Sequence, residues 1–164
     1  NPEYTLKRNR EMCVSALLLN YLTGYQAHLQ LSKDTFGKPY ISDSAMTLSF
    51  SHSQDMVACI IDKEGQAVGI DIEKKRERIK MIAGKFCTEK DTTFFEGAMH
   101  YHLIWGGKEV LYKVFAKKEL DFREHLSVQF NGVFGKGEIR RADIFSTHQL
   151  AFEIIGDFVL VWGF

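Results

Sequence analysis

The run Ala67-Val68-Gly69-Ile70-Asp71-Ile72-Glu73 constrains this chain most. It is apolar until it sets two carboxylates either side of one isoleucine. In a strand, neighbouring side chains point to opposite faces, so Asp71 and Glu73 share a face and Ile72 takes the other. Two carboxylates side by side resist joint ionisation. A divalent cation removes that conflict, and a few hard oxygen ligands suit Mg2+. Alone, Asp-x-Glu at a strand end is more often a solvated edge, so a metal reading needs a third carboxylate from elsewhere.

Trp105-Gly106-Gly107-Lys108-Glu109-Val110-Leu111-Tyr112-Lys113 supplies one. In a helix, Glu109 and Lys113 are i,i+4 neighbours on one face. By itself such a pair is a weak surface contact worth roughly 0.2–0.5 kcal/mol. Behind an Asp-x-Glu strand it sets a carboxylate for a metal beside a cation for a phosphate.

These two motifs resemble the signature of the 4'-phosphopantetheinyl transferases, closer to the surfactin-synthetase-activating (Sfp) type than to the short trimeric holo-acyl-carrier-protein synthases. The likeness extends upstream through Gly37-Lys38-Pro39-Tyr40 and Ser51-His52-Ser53, in the family's order, and spans about Arg10 to Leu126. It implies an α+β fold of two similar lobes in a pseudo-twofold arrangement, with antiparallel-rich sheets and packed helices. The N-terminal lobe would be 1–66, short for the family, and the C-terminal lobe 67–164 would carry the metal.

The rest of the chain is read from local pattern. Val14, Leu17, Leu18, Tyr21 and Leu22 predict a helix from about Arg8 to Leu22 with an apolar face, closed by Gly24. Its basic start holds Lys7, Arg8 and Arg10. Leu31 to Asp43 reads as loop. Leu48–Ser53, Met56–Ile61 and the run ending at Glu73 read as three consecutive strands of a meander. Ile79, Ile82, Ala83 and Phe86 fit a second helix, and Tyr101–Phe115 a third. Beyond Leu126, segments 127–134, 138–145, 149–155 and 158–162 read as short strands between glycines.

Balanced formal charge argues against a general nucleic-acid binder. The basic run Lys74, Lys75, Arg76, Arg78, Lys80 and Lys85 is a solvated face or a meeting surface for an acidic partner. Cys13, Cys59 and Cys87 lack metal-ligand spacing; Cys13 and Cys59 sit in apolar surroundings and read as core residues. A reducing cytoplasm is expected, without a membrane partner, since no signal peptide or membrane-length apolar run is visible. Asn1 in first place is expected of a trimmed or processed start.

The resemblance implies a reaction: the phosphopantetheine arm of coenzyme A moves to a serine of an apo carrier protein, with release of 3',5'-ADP. Asp71, Glu73 and Glu109 would hold Mg2+, or Mn2+ in its place. Lys108 and Lys113 would stand near phosphate oxygens, Lys113 as acid or charge stabiliser. Arg10, Lys38, Pro39, Ser51 and His52 would hold the coenzyme's nucleotide end. The family's general base falls at Asp91, one methylene shorter than its usual glutamate; Glu89 is the alternative if the turn shifts. Gly106, where the family has a small side chain, either admits the ligand closely or loosens the site. A monomer is expected, or a dimer should the first lobe prove incomplete. Two rivals use the same residues: a binder of coenzyme A or carrier protein without chemistry, and a Mg2+-dependent pyrophosphate hydrolase. A third is a plain structural domain.

Overall fold

The computed structural model describes residues 2–24, 26–117 and 119–164, with side chains from Thr5 onward. It is α+β, with antiparallel sheets. Helix α1 (Pro2–Thr23) starts earlier than its apolar pattern, and the Gly24 N–H closes it on the Asn20 carbonyl at 2.9 Å. Strands β1 (Leu31–Lys33) and β2 (Pro39–Ile41) form a small hairpin inside the stretch expected to be loop. Asp34 Oδ1 shapes its turn by accepting the N–H groups of Phe36 and Lys38 at 2.9 and 2.8 Å. Strands β3 (Thr47–Ser53) and β4 (Met56–Asp62) form a second hairpin.

The expected meander stops there. Strand β5 (Gly69–Lys74) does not pair with β4. It forms the edge of a five-stranded antiparallel sheet ordered β5-β9-β8-β7-β6, from β6 (Leu126–Asn131), β7 (Phe134–Arg141), β8 (Ile144–Ile155) and β9 (Phe158–Gly163). The link back to β3 is made by side chains. The hydroxyls of Ser49, Ser51 and Ser53, alternate residues on one face, accept the N–H groups of Ile70, Ile72 and Lys74 at 3.3, 3.1 and 3.2 Å. An edge strand's exposed donors are thereby satisfied without a ladder.

Helix α3 (Gly97–Phe115) lies across this sheet. Leu103, Val110 and Leu111 pack against Val128, Phe130, Ile139, Leu150, Phe152, Val159 and Val161, all buried. Each fully buried large side chain contributes roughly 1.5–3 kcal/mol. Gly137 lies within β7 rather than in a turn, and its lack of a side chain admits Leu111 of α3, whose Cδ2 would stand 2.6 Å from a Cβ there. Helix α2 (Ile79–Ile82) is shorter than expected and passes into a 3-10 turn over Ala83–Lys85. The Phe86 carbonyl beyond it turns inward to Lys108 Nζ at 2.7 Å, so it cannot continue a helical ladder.

The expected inner face of α1 is largely its outer face. Leu17 and Tyr21 are 68% and 85% exposed, while Leu19 packs with Ala27, Ile41 and Leu48. A two-stranded hairpin is too narrow to cover a helix of this length. Cys13 is exposed on α1, not in a core, and Cys59 is half-buried, where burial pushes its thiol up to about 12. Among the described residues no helix is long and apolar enough to cross a membrane.

Candidate functional site

The Asp71 carboxylate is the hub of the site. Its Oδ1 accepts the Ser51 hydroxyl at 2.9 Å and the Lys113 ammonium at 2.8 Å. Lys113 also donates to the Ile70 carbonyl at 2.7 Å, so the last turn of α3 is tied to β5 at this point. Asp71 Oδ2 is buried and without a hydrogen-bond partner. Two residues on, Glu73 shares the face as strand periodicity requires, and Ser53 donates to its Oε2 at 3.2 Å.

Glu109, one turn before Lys113, completes the set. Its carboxyl is pushed up to about 7, by burial first, then by the Asp71 charge, with Glu73 adding and Lys113 opposing. Glu73 is also raised, by burial and then by Asp71. The three carboxylates therefore feel one another, although among the described residues no His, Cys, Asp and Glu side chains form a closed ligand set. An unpaired buried Oδ2 beside carboxyls that resist ionisation is a donor set that fits a hard divalent cation. Gly106 keeps Oδ2 open: a Cβ there would stand 2.7 Å from Val161 Cγ2 and 3.8 Å from Oδ2. Its missing side chain thus serves close packing of α3 on the sheet.

Against this acidic end lies a groove of about 710 Å³ between α1, the β1–β2 hairpin, β3 and the C-terminal turn of α3. Lys38, Pro39, His52 and Lys113, distant in sequence, all line it. Arg8, Lys33 and Lys117 add positive charge, opposed by Glu11, whose Oε1 is 3.5 Å from His52 Nδ1. Burial lowers the Lys38 pKa, with Asp34 opposing. Met12, Leu48, Phe50 and Phe36 supply apolar wall. Lys113 belongs to both parts: it lines the groove and bonds Asp71.

Four expected residues do not line the groove. Arg10 is exposed and does not line the groove; Arg8, Glu11, Met12, Ser15 and Ala16 make the helical stripe that does. That i, i+3, i+4, i+7 spacing was a usable signal, as was Lys117, four residues after Lys113 and just past the end of α3. Ser51 is buried, with its hydroxyl engaged by Ile72 and Asp71, so it has no hydrogen left for a phosphate.

Lys108 and Asp91 correct the resemblance most. Lys108 is fully buried, and its ammonium donates to the Phe86 and Phe122 carbonyls at 2.7 and 2.8 Å and to Asp91 Oδ2 at 2.7 Å. Asp91 also accepts the Thr88 N–H and hydroxyl on Oδ2 and the Val128 N–H on Oδ1. This is a saturated core ion pair joining four segments, and neither member faces the groove. Glu89 is exposed. Trp105 packs beside this pair, with Phe86 and Phe122 at 5.1 and 5.4 Å between ring centroids.

No protein-family model matches the chain, and no curated protein matches it.

Proposed function

We propose that the chain is a Mg2+-dependent 4'-phosphopantetheinyl transferase that takes coenzyme A as co-substrate and an apo carrier protein as acceptor. The observation that supports this most is Lys113, which joins a cation-lined groove to a cluster of three interacting carboxylates. A ligand with a phosphate-rich nucleotide at one end and a pyrophosphate in the middle needs that adjacency. In this reading 1–66 and 67–164 act as the family's two lobes, each with one long helix against antiparallel strands.

The nucleotide end lies in the groove on Lys38, His52 and Arg8, and this remote binding positions the reacting phosphorus. Asp71, Glu73 and Glu109 would hold the metal, which would supply neutralisation of the pyrophosphate charge. The serine oxygen of the acceptor bonds to the β-phosphorus, and the bond from that phosphorus to the bridging oxygen breaks. The electron pair leaves with 3',5'-ADP, the serine proton passes to solvent, and Lys113 offsets the leaving charge.

A second reading, binding without transfer, draws support from Asp91, whose burial removes the expected base. Intact mass of an apo carrier protein after incubation with coenzyme A and Mg2+ separates the two. A gain of one phosphopantetheinyl group, lost with EDTA, is expected. No gain across several carriers, with coenzyme A still bound, would leave the binder.

A further inference from the structure

A second cleft, of about 420 Å³, opens at the N-terminal end of α3 and shares none of the groove's residues. Helix α3 has 19 residues, but its N-cap Glu96 makes no side-chain cap and its first turn holds no acidic residue. Its first N–H groups lack intrahelical acceptors and carry the positive end of the helix dipole. The neighbours deepen this imbalance. Lys75, Arg76 and Lys80 line the cleft, and Lys80 Nζ lies 3.6 Å from where a Gly97 Cβ would stand. Of the lining carboxylates, Glu77 is paired with Lys80 at 2.7 Å on an exposed side chain, and Glu96 does not turn onto the helix end.

His102 supplies an independent sign. It lines the same cleft, one turn into the helix, and is only 4% exposed. Its Nε2 accepts the Arg76 N–H at 2.9 Å, a better bond than the 3.3 Å contact with the Arg76 carbonyl. A neutral imidazole that accepts at Nε2 carries its proton on Nδ1. Nδ1 is buried and has no partner. The cleft thus gathers ammonium, guanidinium, amide and imidazole donors; the Lys80 ammonium is shared with exposed Glu77, and the His102 Nδ1 has no acceptor.

We propose that this cleft is a binding site for a phosphate-class oxyanion, held by the first-turn amides of α3, Lys75, Arg76, Lys80 and His102. Helix N-termini bind such anions through oriented N–H groups, and a tetrahedral oxyanion offers enough oxygens for donors from several directions. The source is free phosphate or the phosphoryl group of a larger ligand. The site stands independently of the transferase reading.

The test follows amide and imidazole signals of the full chain by NMR during titration with inorganic phosphate, against chloride at equal ionic strength. Saturable shifts at Ala98, Met99 and the His102 ring are expected. Gly97→Asp sets a carboxylate against Lys80 and should abolish them. The exposed-charge variant Lys75→Ala/Lys80→Ala should keep the fold and weaken binding about tenfold. A parallel titration with O-phosphoserine distinguishes the sources: tighter binding than phosphate assigns a larger ligand, weaker binding the free anion. The site is refuted by shifts that do not saturate, by equal shifts in chloride, or by unchanged affinity in the charge variant.

Discussion

Ser51 and Asp71 are bound as a unit: the Ser51 hydroxyl donates to Asp71 Oδ1 at 2.9 Å while its oxygen accepts the Ile72 N–H at 3.1 Å. One side chain therefore closes the gap between β3 and β5 and orients the carboxylate at the centre of the site. Ser51→Ala leaves a buried N–H unpaired, a cost of about 1–3 kcal/mol. Denaturant unfolding should register that loss, with a smaller one for the less buried Ser53→Ala. Mg2+ affinity should fall in both. Unchanged stability and unchanged Mg2+ affinity in Ser51→Ala would remove the serine from this role.

Asp91→Asn is expected to unfold the protein more readily rather than merely slow it. Removing one member of a buried, hydrogen-bonded ion pair costs about 3–5 kcal/mol, because the other charge is left uncompensated. Lys108→Met should behave alike. Replacing both with apolar residues should restore part of the loss. A well-folded Asp91→Asn protein that has lost transfer would instead return Asp91 to the chemistry.

Carboxyls raised by burial give the metal-free protein a definite pH response. Glu109 binds its proton up to about 7 when folded, against an ordinary 4.5. The folded state thus holds more protons than the unfolded state between those values. Its stabilising contribution is complete below the lower value and is lost as pH rises through the upper one. Glu73 acts in the same direction. In the proposed metal reading protons and Mg2+ would compete for these carboxylates, so the rise in Tm on adding Mg2+ should grow from pH 5 to pH 8. A Tm rise that does not vary with pH would detach these groups from metal binding.

Arg8 and Arg10 provide a matched pair. Arg8 lines the groove and Arg10 does not. Arg8→Ala should weaken coenzyme A binding about tenfold, as loss of one charge-assisted phosphate contact does, and flatten its salt dependence. Arg10→Ala should leave calorimetric affinity unchanged. The reverse order would place the nucleotide on the other side of α1.

How much of this was legible in the sequence varies by element. The face shared by Asp71 and Glu73 and the Glu109–Lys113 turn follow from periods of 2.0 and 3.6 alone. Lys108 did not follow, because adjacency to Glu109 in sequence is about 100° of rotation on a helix; that turn takes it into the core. The partner of β5 was also hidden. Consecutive strands usually pair, and nothing local announces that β9, some ninety residues on, takes that edge. The three serines of β3 were visible at period two, but hydroxyls on one face read equally well as ligand contacts or as acceptors for a neighbouring strand.

The serine seam also makes the chain intolerant of small changes in length. Side chains along a strand alternate, so deleting or inserting a single residue within β3 would turn Phe50 and His52 toward β5 in place of the hydroxyls. The N–H groups of Ile70, Ile72 and Lys74 would lose their acceptors together, and Asp71 its donor. The exposed turn over residues 63–65, by contrast, holds no part of the seam and can absorb added residues, whereas the Gln66 carbonyl accepts the Thr47 hydroxyl and Val68 is buried. Among sequences of this kind, length variation should collect in that turn and be missing from Thr47–Ser53.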